Sequence, residues 1–302
     1  MAFLDWLKII VLGIVEGITE WLPISSTGHM ILVDALWKTE NHPVLTHDFM
    51  EMFTVVIQFG AILAVLVLYW SKIWPFHTKA KRRRRSYFAE ASSNRVVCGI
   101  QRFCDNYCYM DKIVMWLKIA LSCVPAILIG LPFDDLLDKY LYNSVTVAAT
   151  LIIYGVAFLF VERYNKKRTP RIGMMSELTW KDALLIGVFQ VLALIPGTSR
   201  SGATILGGIL IGASRGLAAE YTFFLAIPVM LGASLLKLVK FGSFTGTQFG
   251  VVVLGMAVAF AVSIVAIKFL VGYIKKHDFS AFGWYRIALG ILVLICHFAL
   301  AA

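Results

Sequence analysis

Six long apolar stretches constrain this chain more than any other feature. They fall near 49–70, 113–131, 143–161, 217–237, 249–270 and 284–301. Each approaches the roughly 20 residues that a helix needs to cross the hydrocarbon of a bilayer. With 59% hydrophobic and 15% charged residues in 302, and a mean hydropathy of +0.79, the composition lies far outside that of a soluble domain. The expected fold is an all-α integral membrane protein with about six transmembrane helices.

The remaining composition excludes several classes. A net charge of +10 does not point to nucleic acid, because most of the basic residues sit in loops between apolar stretches, where they orient a membrane protein. Residues 1–37 do not read as a signal peptide, since Asp5, Glu16 and Glu20 interrupt the apolar run and no small-residue cleavage site follows. Of five cysteines, Cys123 and Cys296 fall in apolar stretches and read as small hydrophobes. Cys98, Cys104 and Cys108 lack the paired spacing of a zinc site, His77 is not placed to complete one, and reduced thiols are the simpler expectation.

An internal repeat organises the chain. Laid without a gap over 178–206, residues 4–32 share seven identities: Leu4/Leu178, Trp6/Trp180, Gly13/Gly187, Ser25/Ser199, Gly28/Gly202, Ile31/Ile205 and Leu32/Leu206. Each copy is an apolar arm, a break rich in Pro, Gly, Ser and Thr (Pro23 to Gly28; Pro196 to Gly202), and a second short apolar arm. Unpaired backbone at membrane depth is tolerated only where protein covers it or where it lines a cavity. Two re-entrant helical hairpins are therefore expected, at 1–37 and 182–212. Three spans follow each, giving two units, 1–171 and 172–302, that together make one membrane domain. Because three is odd, the second unit starts on the opposite side, which makes an inverted-topology repeat.

Loop charge orients this arrangement. The loops at 71–112 and 162–182 carry ten and six Lys/Arg, and the loop at 271–283 carries Lys275 and Lys276. The loops at 38–48, 132–142 and 238–248 offer only Lys38, Lys139 and Lys240. The positive-inside rule then puts both termini outside. The run Lys79–Arg85 reads as a solvated cytoplasmic anchor, with anionic lipid headgroups as its alternative ligand. The acidic group Asp134, Asp135 and Asp138 reads as an exposed outer loop.

The breaks carry the chemistry. Glu16 and Glu20, four apart, share a helix face. Ionisable groups in an apolar segment normally face a cavity and have a function or a partner, and two carboxylates suit Mg²⁺ or Ca²⁺. Ser25, Ser26, Thr27 and Gly28 gather hydroxyls and free backbone N–H groups at a helix start, which suits an anion. His29 lies within one turn of Ser26 and can serve as acid or base to an attacking hydroxyl. In the second break, Arg200 stands among Ser199, Ser201, Gly202 and Thr204, and a guanidinium grips phosphate through paired hydrogen bonds. Plainer readings stand beside these: a neutral, hydrogen-bonded glutamate pair, an ordinary helix cap, and an Arg200 that only ties the hairpins together by pairing with Glu16 or Glu20. The combination describes phosphoryl transfer to or from a lipid phosphate reached within the bilayer.

At these residues the chain resembles the undecaprenyl-diphosphatase family associated with bacitracin resistance. The motifs are E-G-I-T-E-W-L-P-I-S-S-T-G-H, from Glu16 to His29, and P-G-T-S-R-S-G-A-T, from Pro196 to Thr204, and the resemblance covers most of the chain. It implies hydrolysis of undecaprenyl diphosphate to the monophosphate at the outer face of the bacterial plasma membrane, depending on a divalent cation and recycling the carrier of cell-wall precursors. It also implies Glu16 and Glu20 as the acidic, metal-binding pair, Ser26 as nucleophile, His29 as acid or base, and Arg200 as the phosphate-binding arginine. Ser25, Thr27, Gly28, Ser199, Ser201 and Thr204 would add contacts to the diphosphate. The basic, cysteine-bearing segment from about Trp74 to Asp111 stands apart from the family pattern and reads as a variable loop. A homodimer is compatible with all of this. Two other activities fit the same residues: a transporter or flippase for lipid phosphates, and a serine-dependent acyl or phosphatidyl transferase.

Overall fold

The computed structural model describes residues 3–37, 43–77 and 95–301. Its helices, in chain order, are α1 (Phe3–Thr19), α2 (Ser26–Leu36), α3 (His47–Ile73), α4 (Arg95–Tyr107), α5 (Met110–Leu141), α6 (Ser144–Asn165), α7 (Trp180–Val191), α8 (Arg200–Leu210), α9 (Arg215–Phe241), α10 (Gly246–Ile274) and α11 (Ser280–Ala301). Bridges of strand type among the described residues are isolated: Phe76 with Cys108, and Ile172 with Ala213. Six helices are long and apolar enough to cross a membrane, namely α3, α5 as far as Phe133, α6, α9, α10, and α11 as far as Ala299. They coincide with the six apolar stretches of the sequence.

Local chemistry sets where several spans begin. Thr46, Asn143, Ser214 and Thr245 each accept, through the side chain, a backbone N–H from three residues on. Such caps satisfy donors that a helix start otherwise leaves bare.

The two helix pairs flanking the breaks fold back on themselves. At roughly 16–18 Å, α2, α7 and α8 reach about half the thickness of a hydrocarbon core. Lys8 Nζ donates to the Trp37 carbonyl at 2.8 Å, joining the open ends of α1 and α2. At the open end of α7 and α8, Arg171 donates to Asp182 at 2.5 Å and to the Ile211 carbonyl at 3.1 Å. Ser214 N donates to the Ile172 carbonyl there as well, at 2.8 Å. Both breaks therefore lie at the closed ends of these pairs, away from the joined termini.

The spans then pack around the pairs. Helix α1 lies against α10, and α7 against α5. Helix α2 touches α11 and α8 touches α6, while α3 crosses α9 and α6 crosses α11. An ion pair ties each end of the α3/α9 crossing, Lys237 with Glu51 and Lys72 with Glu220.

Two loop expectations are corrected. The segment at 132–142 is not a loop: α5 runs unbroken to Leu141 through Pro125 and Pro132, so Asp134, Asp135 and Asp138 lie on a helix. A proline removes one backbone donor and bends a helix locally, and strong helix formers beyond it carry the helix on. The segment at 71–112 is not wholly irregular either. Residues 95–107 form α4, whose Val96, Ile100, Phe103, Cys104 and Tyr107 recur at three- and four-residue spacing. All five cysteines are free thiols, with Cys123 in the core and Cys296 half-buried. Lys38 and the run Lys79–Arg85 lie outside the described residues.

Candidate active site

The two breaks share one backbone device. After α1 the chain turns through Glu20 to Ile24 and enters α2 from Ser25, at φ 71°. After α7 a 3-10 turn over Leu192–Leu194 leads to Ser199, at φ 69°, and into α8. Ser25 and Ser199 are the described non-glycine residues with positive φ, and they are partners in the sequence repeat. A serine held left-handed costs on the order of 1–3 kcal/mol and persists where its surroundings dictate it, most often at functional sites. The Ser199 hydroxyl accepts from Gly202 N at 3.2 Å and lies 3.1 Å from the Ser201 hydroxyl. The Ser25 hydroxyl, wholly buried, has no hydrogen-bond partner.

Arg200 brings the breaks together. From the first turn of α8 it donates through Nε (3.3 Å) and Nη2 (2.9 Å) to the same oxygen, Oε1, of Glu20, and through Nη1 to the Thr222 carbonyl at 2.9 Å. Its side chain is 11% exposed and that of Glu20 9%. Glu16, one turn earlier on α1, is 1% exposed and faces the side chains of Glu20 and Gln58, with its Oε1 unpartnered. Trp21 closes one side, edge-on to Phe223 with ring centroids 5.4 Å apart.

The other expected residues divide. Ser26 and Thr27 are half-buried in the first turn of α2. His29 does not pair with Ser26: Nδ1 is 2.7 Å from the Ser25 carbonyl and Nε2 is 2.7 Å from the Tyr285 hydroxyl. Gly28 makes room for packing, since a Cβ there would stand 2.9 Å from a Leu151 methyl. Ser201 is buried. The Thr204 hydroxyl is turned to the Arg200 carbonyl (2.9 Å) and the Thr222 hydroxyl (2.8 Å), bracing α8 on α9.

Sequence reasoning missed Arg286. It sits in α11, 0% exposed, and donates to the Pro23 carbonyl at 3.1 Å and to the Gly197 and Thr198 carbonyls at 2.9 and 2.8 Å. One guanidinium thus clasps both breaks, with no carboxylate paired to it among the described residues. The signal was present, because an arginine inside an apolar span is costly and faces the protein interior. Gln190, which overlays Glu16 in the repeat, was missed too; it is 2% exposed, with both amide atoms unpartnered.

Two carboxylates at the closed end of α1, one with an orphaned buried oxygen, form a donor set that suits a hard divalent cation. With a guanidinium beside them and a helix start opposite, the cluster can hold a phosphate and neutralise charge developing on it.

Comparison with known proteins bears on this cluster. The family description "Bacitracin resistance protein BacA" matches residues 9–292, which contain both breaks and Arg286. The chain belongs to the BacA family. Among its relatives, an undecaprenyl-diphosphatase of Enterococcus faecalis is 54% identical over 296 residues, 98% of each chain. One of Acetivibrio thermocellus is 55% identical over 293 residues, 97% of each chain. One of Desulfitobacterium hafniense is 54% identical, covering 98% of this chain and 97% of its own. The match spans the segment from Trp74 to Asp111.

Proposed function

We propose that this protein hydrolyses undecaprenyl diphosphate to undecaprenyl phosphate and inorganic phosphate in the bacterial plasma membrane, recycling the lipid carrier of cell-wall synthesis and giving bacitracin resistance. The observation that carries the reading is the Arg200–Glu20 contact, which unites the two family motifs in one buried cluster. The diphosphate enters between the breaks with its prenyl tail among the helices. Arg200 grips the terminal phosphate once Glu20 yields the guanidinium. Ser26, at the start of α2, attacks the terminal phosphorus or positions the water that does, and His29 manages the proton. The bridging P–O bond breaks, undecaprenyl phosphate leaves, and water frees inorganic phosphate from any phosphoserine so formed. The hydroxyls and N–H groups of Ser25, Thr27, Gly28, Ser199 and Ser201 hold the remaining phosphate oxygens. Glu16 and Glu20 would hold Mg²⁺ or Ca²⁺, which supplies charge neutralisation to the phosphate oxygens. Phosphate release from undecaprenyl diphosphate by the detergent-purified protein, with and without EDTA and beside Arg200→Ala, tests this. Metal-independent release, or an unimpaired variant, would refute the assignment of the site.

The arrangement is further proposed to be an inverted-topology repeat of units 1–171 and 172–302, with both fold-back pairs re-entrant. Exchanging the units maps α1·α10 onto α7·α5 and α2·α11 onto α8·α6, and leaves α3·α9 and α6·α11 in place, all of which are contacts the structure makes. This exchange symmetry also favours a second activity, movement of the lipid phosphate across the bilayer. Lipid transfer in proteoliposomes that survives loss of hydrolysis would establish it. The active site is proposed to open to the outer face. Lys72, Lys112, Lys118 and Lys275 line a cavity of about 1120 Å³ at the end of the bundle assigned to the cytoplasm. His47→Cys, at a position 91% exposed at the opposite end, should react with impermeant thiol reagents from outside; labelling from the cytoplasm alone would invert the orientation.

A further inference from the structure

His29 is held by both ring nitrogens. The Ser25 carbonyl, 2.7 Å from Nδ1, can only accept, so Nδ1 carries the ring proton. In the neutral imidazole Nε2 is then the bare nitrogen, and the Tyr285 hydroxyl, 2.7 Å away, donates to it. The two rings also lie nearly parallel, with centroids 5.6 Å apart and 11° between their planes. Both anchors are themselves constrained. Ser25 is the left-handed residue of the first break, and Tyr285 precedes Arg286, whose guanidinium is locked to the carbonyls of both breaks.

We propose that Tyr285 is a positioning residue of the phosphatase: with the Ser25 carbonyl it fixes the tautomer and the orientation of His29, so that the base nitrogen of the site is Nε2. Without the tyrosine hydroxyl, Nδ1–H keeps its bond to the break but the ring loses its second tether, and its base nitrogen is no longer presented in one direction. Tyr285 is partly exposed, so its hydroxyl can yield Nε2 to the reacting group without breaking into the core. No proton moves in the resting arrangement, and the tyrosine is neither consumed nor changed by turnover. The inference rests on the reading of His29 as the proton-handling group.

The test is a double-mutant cycle on the purified full-length protein, with undecaprenyl diphosphate as substrate. Tyr285→Phe should lower kcat by about tenfold, the scale of one lost hydrogen bond at a reacting group, with KM little changed. Combined with His29→Ala, it should cost nothing further, because residues that act as a unit are not additive. Nitrogen NMR of histidine-labelled protein gives a readout that mere loss of packing would not move. The His29 Nε2 resonance should shift in Tyr285→Phe while Nδ1 stays protonated. A normal kcat in Tyr285→Phe beside a slow His29→Ala, or losses that simply multiply in the double variant, would overturn the role of Tyr285 and leave His29 in place. Full turnover in His29→Ala would instead sink the reading of His29, and this inference with it.

Discussion

Arg200 and Glu20, 180 positions apart in the sequence, are joined through two donors on one carboxylate oxygen, with both side chains largely buried. Neither motif is a site alone. The acidic pair, Ser25 and Ser26 belong to the first motif and Arg200, Ser199 and Ser201 to the second, and the spans that pack around the two fold-back pairs bring them into one cluster. Removing one partner of such a pair strands a buried charge, at a cost of about 3–5 kcal/mol.

Arg200→Ala should therefore lower turnover on the order of a hundredfold or more and also lower the unfolding temperature in detergent. Arg200→Lys separates the two effects. It keeps a charge for Glu20 and most of the stability, but loses the fork that grips phosphate, so its phosphate release should stay well below that of the parent. Recovery of full activity in the lysine variant would show that the charge alone matters.

The carboxylates are not equivalent, and chelation should expose this. EDTA is expected to abolish phosphate release, with Mg²⁺ or Ca²⁺ restoring it. Glu16→Gln and Glu20→Gln should each raise the metal concentration needed for half activity by at least about tenfold, since hard cations bind weakly to amides. Glu20→Gln should lose more turnover at saturating metal, because Glu20 also holds Arg200 whereas the Glu16 Oε1 has no partner. Equal behaviour of the two variants in a metal titration would contradict the division of roles.

Ser26→Ala distinguishes two chemistries. If the hydroxyl attacks phosphorus, the variant should fall to a small residual rate held up by Arg200 and the bound metal. Turnover near that of the parent, measured as phosphate release at saturating substrate, would leave water as the attacker and Ser26 as a first-turn residue of α2.

Arg286 makes a separate prediction about the frame. Its three bonds go to carbonyls of both breaks, and every buried acceptor left bare costs about 1–3 kcal/mol. Arg286→Met should thus destabilise the protein by several kcal/mol, among the largest losses for a single substitution outside the Arg200–Glu20 cluster. Arg286→Lys, with one compact ammonium in place of the fork, should recover part of the stability. A methionine variant that melts with the parent in detergent would show that the clasp holds nothing.

The apolar runs located the six candidate spans to within about four residues at either end, since length and hydropathy are local properties. The repeat identities likewise marked both breaks, because Ser25 and Ser199 occupy the same strained backbone position. What stayed hidden depends on packing. Arg286 and Tyr285 read as residues of one more apolar span, and only the crossing of α11 over the breaks turns them into neighbours of Pro23 and His29. Thr204 was expected to face the diphosphate, yet its hydroxyl is turned to α9, because a residue one turn inside a helix meets whatever packs on that face. The continuation of α5 past Pro132 was missed for a local reason: a proline followed by acidic residues resembles a loop.

The repeat supplies the last prediction, in which partner glycines differ in severity. Gly13 on α1 packs against α10 and Gly187, its partner in the sequence repeat, on α7 packs against α5. At Gly13 an added Cβ would stand 3.0 Å from the Gly255 carbonyl and 3.0 Å from Val258 Cβ, and at Gly187 it would stand 2.4 Å from the Ser122 carbonyl. The first clash eases with a shift of a few tenths of an ångström. The second pushes on backbone that the Ser122 hydroxyl ties to the Ala183 carbonyl at 2.6 Å and to the Tyr221 hydroxyl at 2.6 Å. Overpacking of this kind costs about 1–3 kcal/mol, so Gly187→Ala should melt clearly below Gly13→Ala in detergent. Similar melting of the two variants would mean that α5 and α7 yield as readily as α1 and α10, and that the Ser122 bonds do not stiffen the contact.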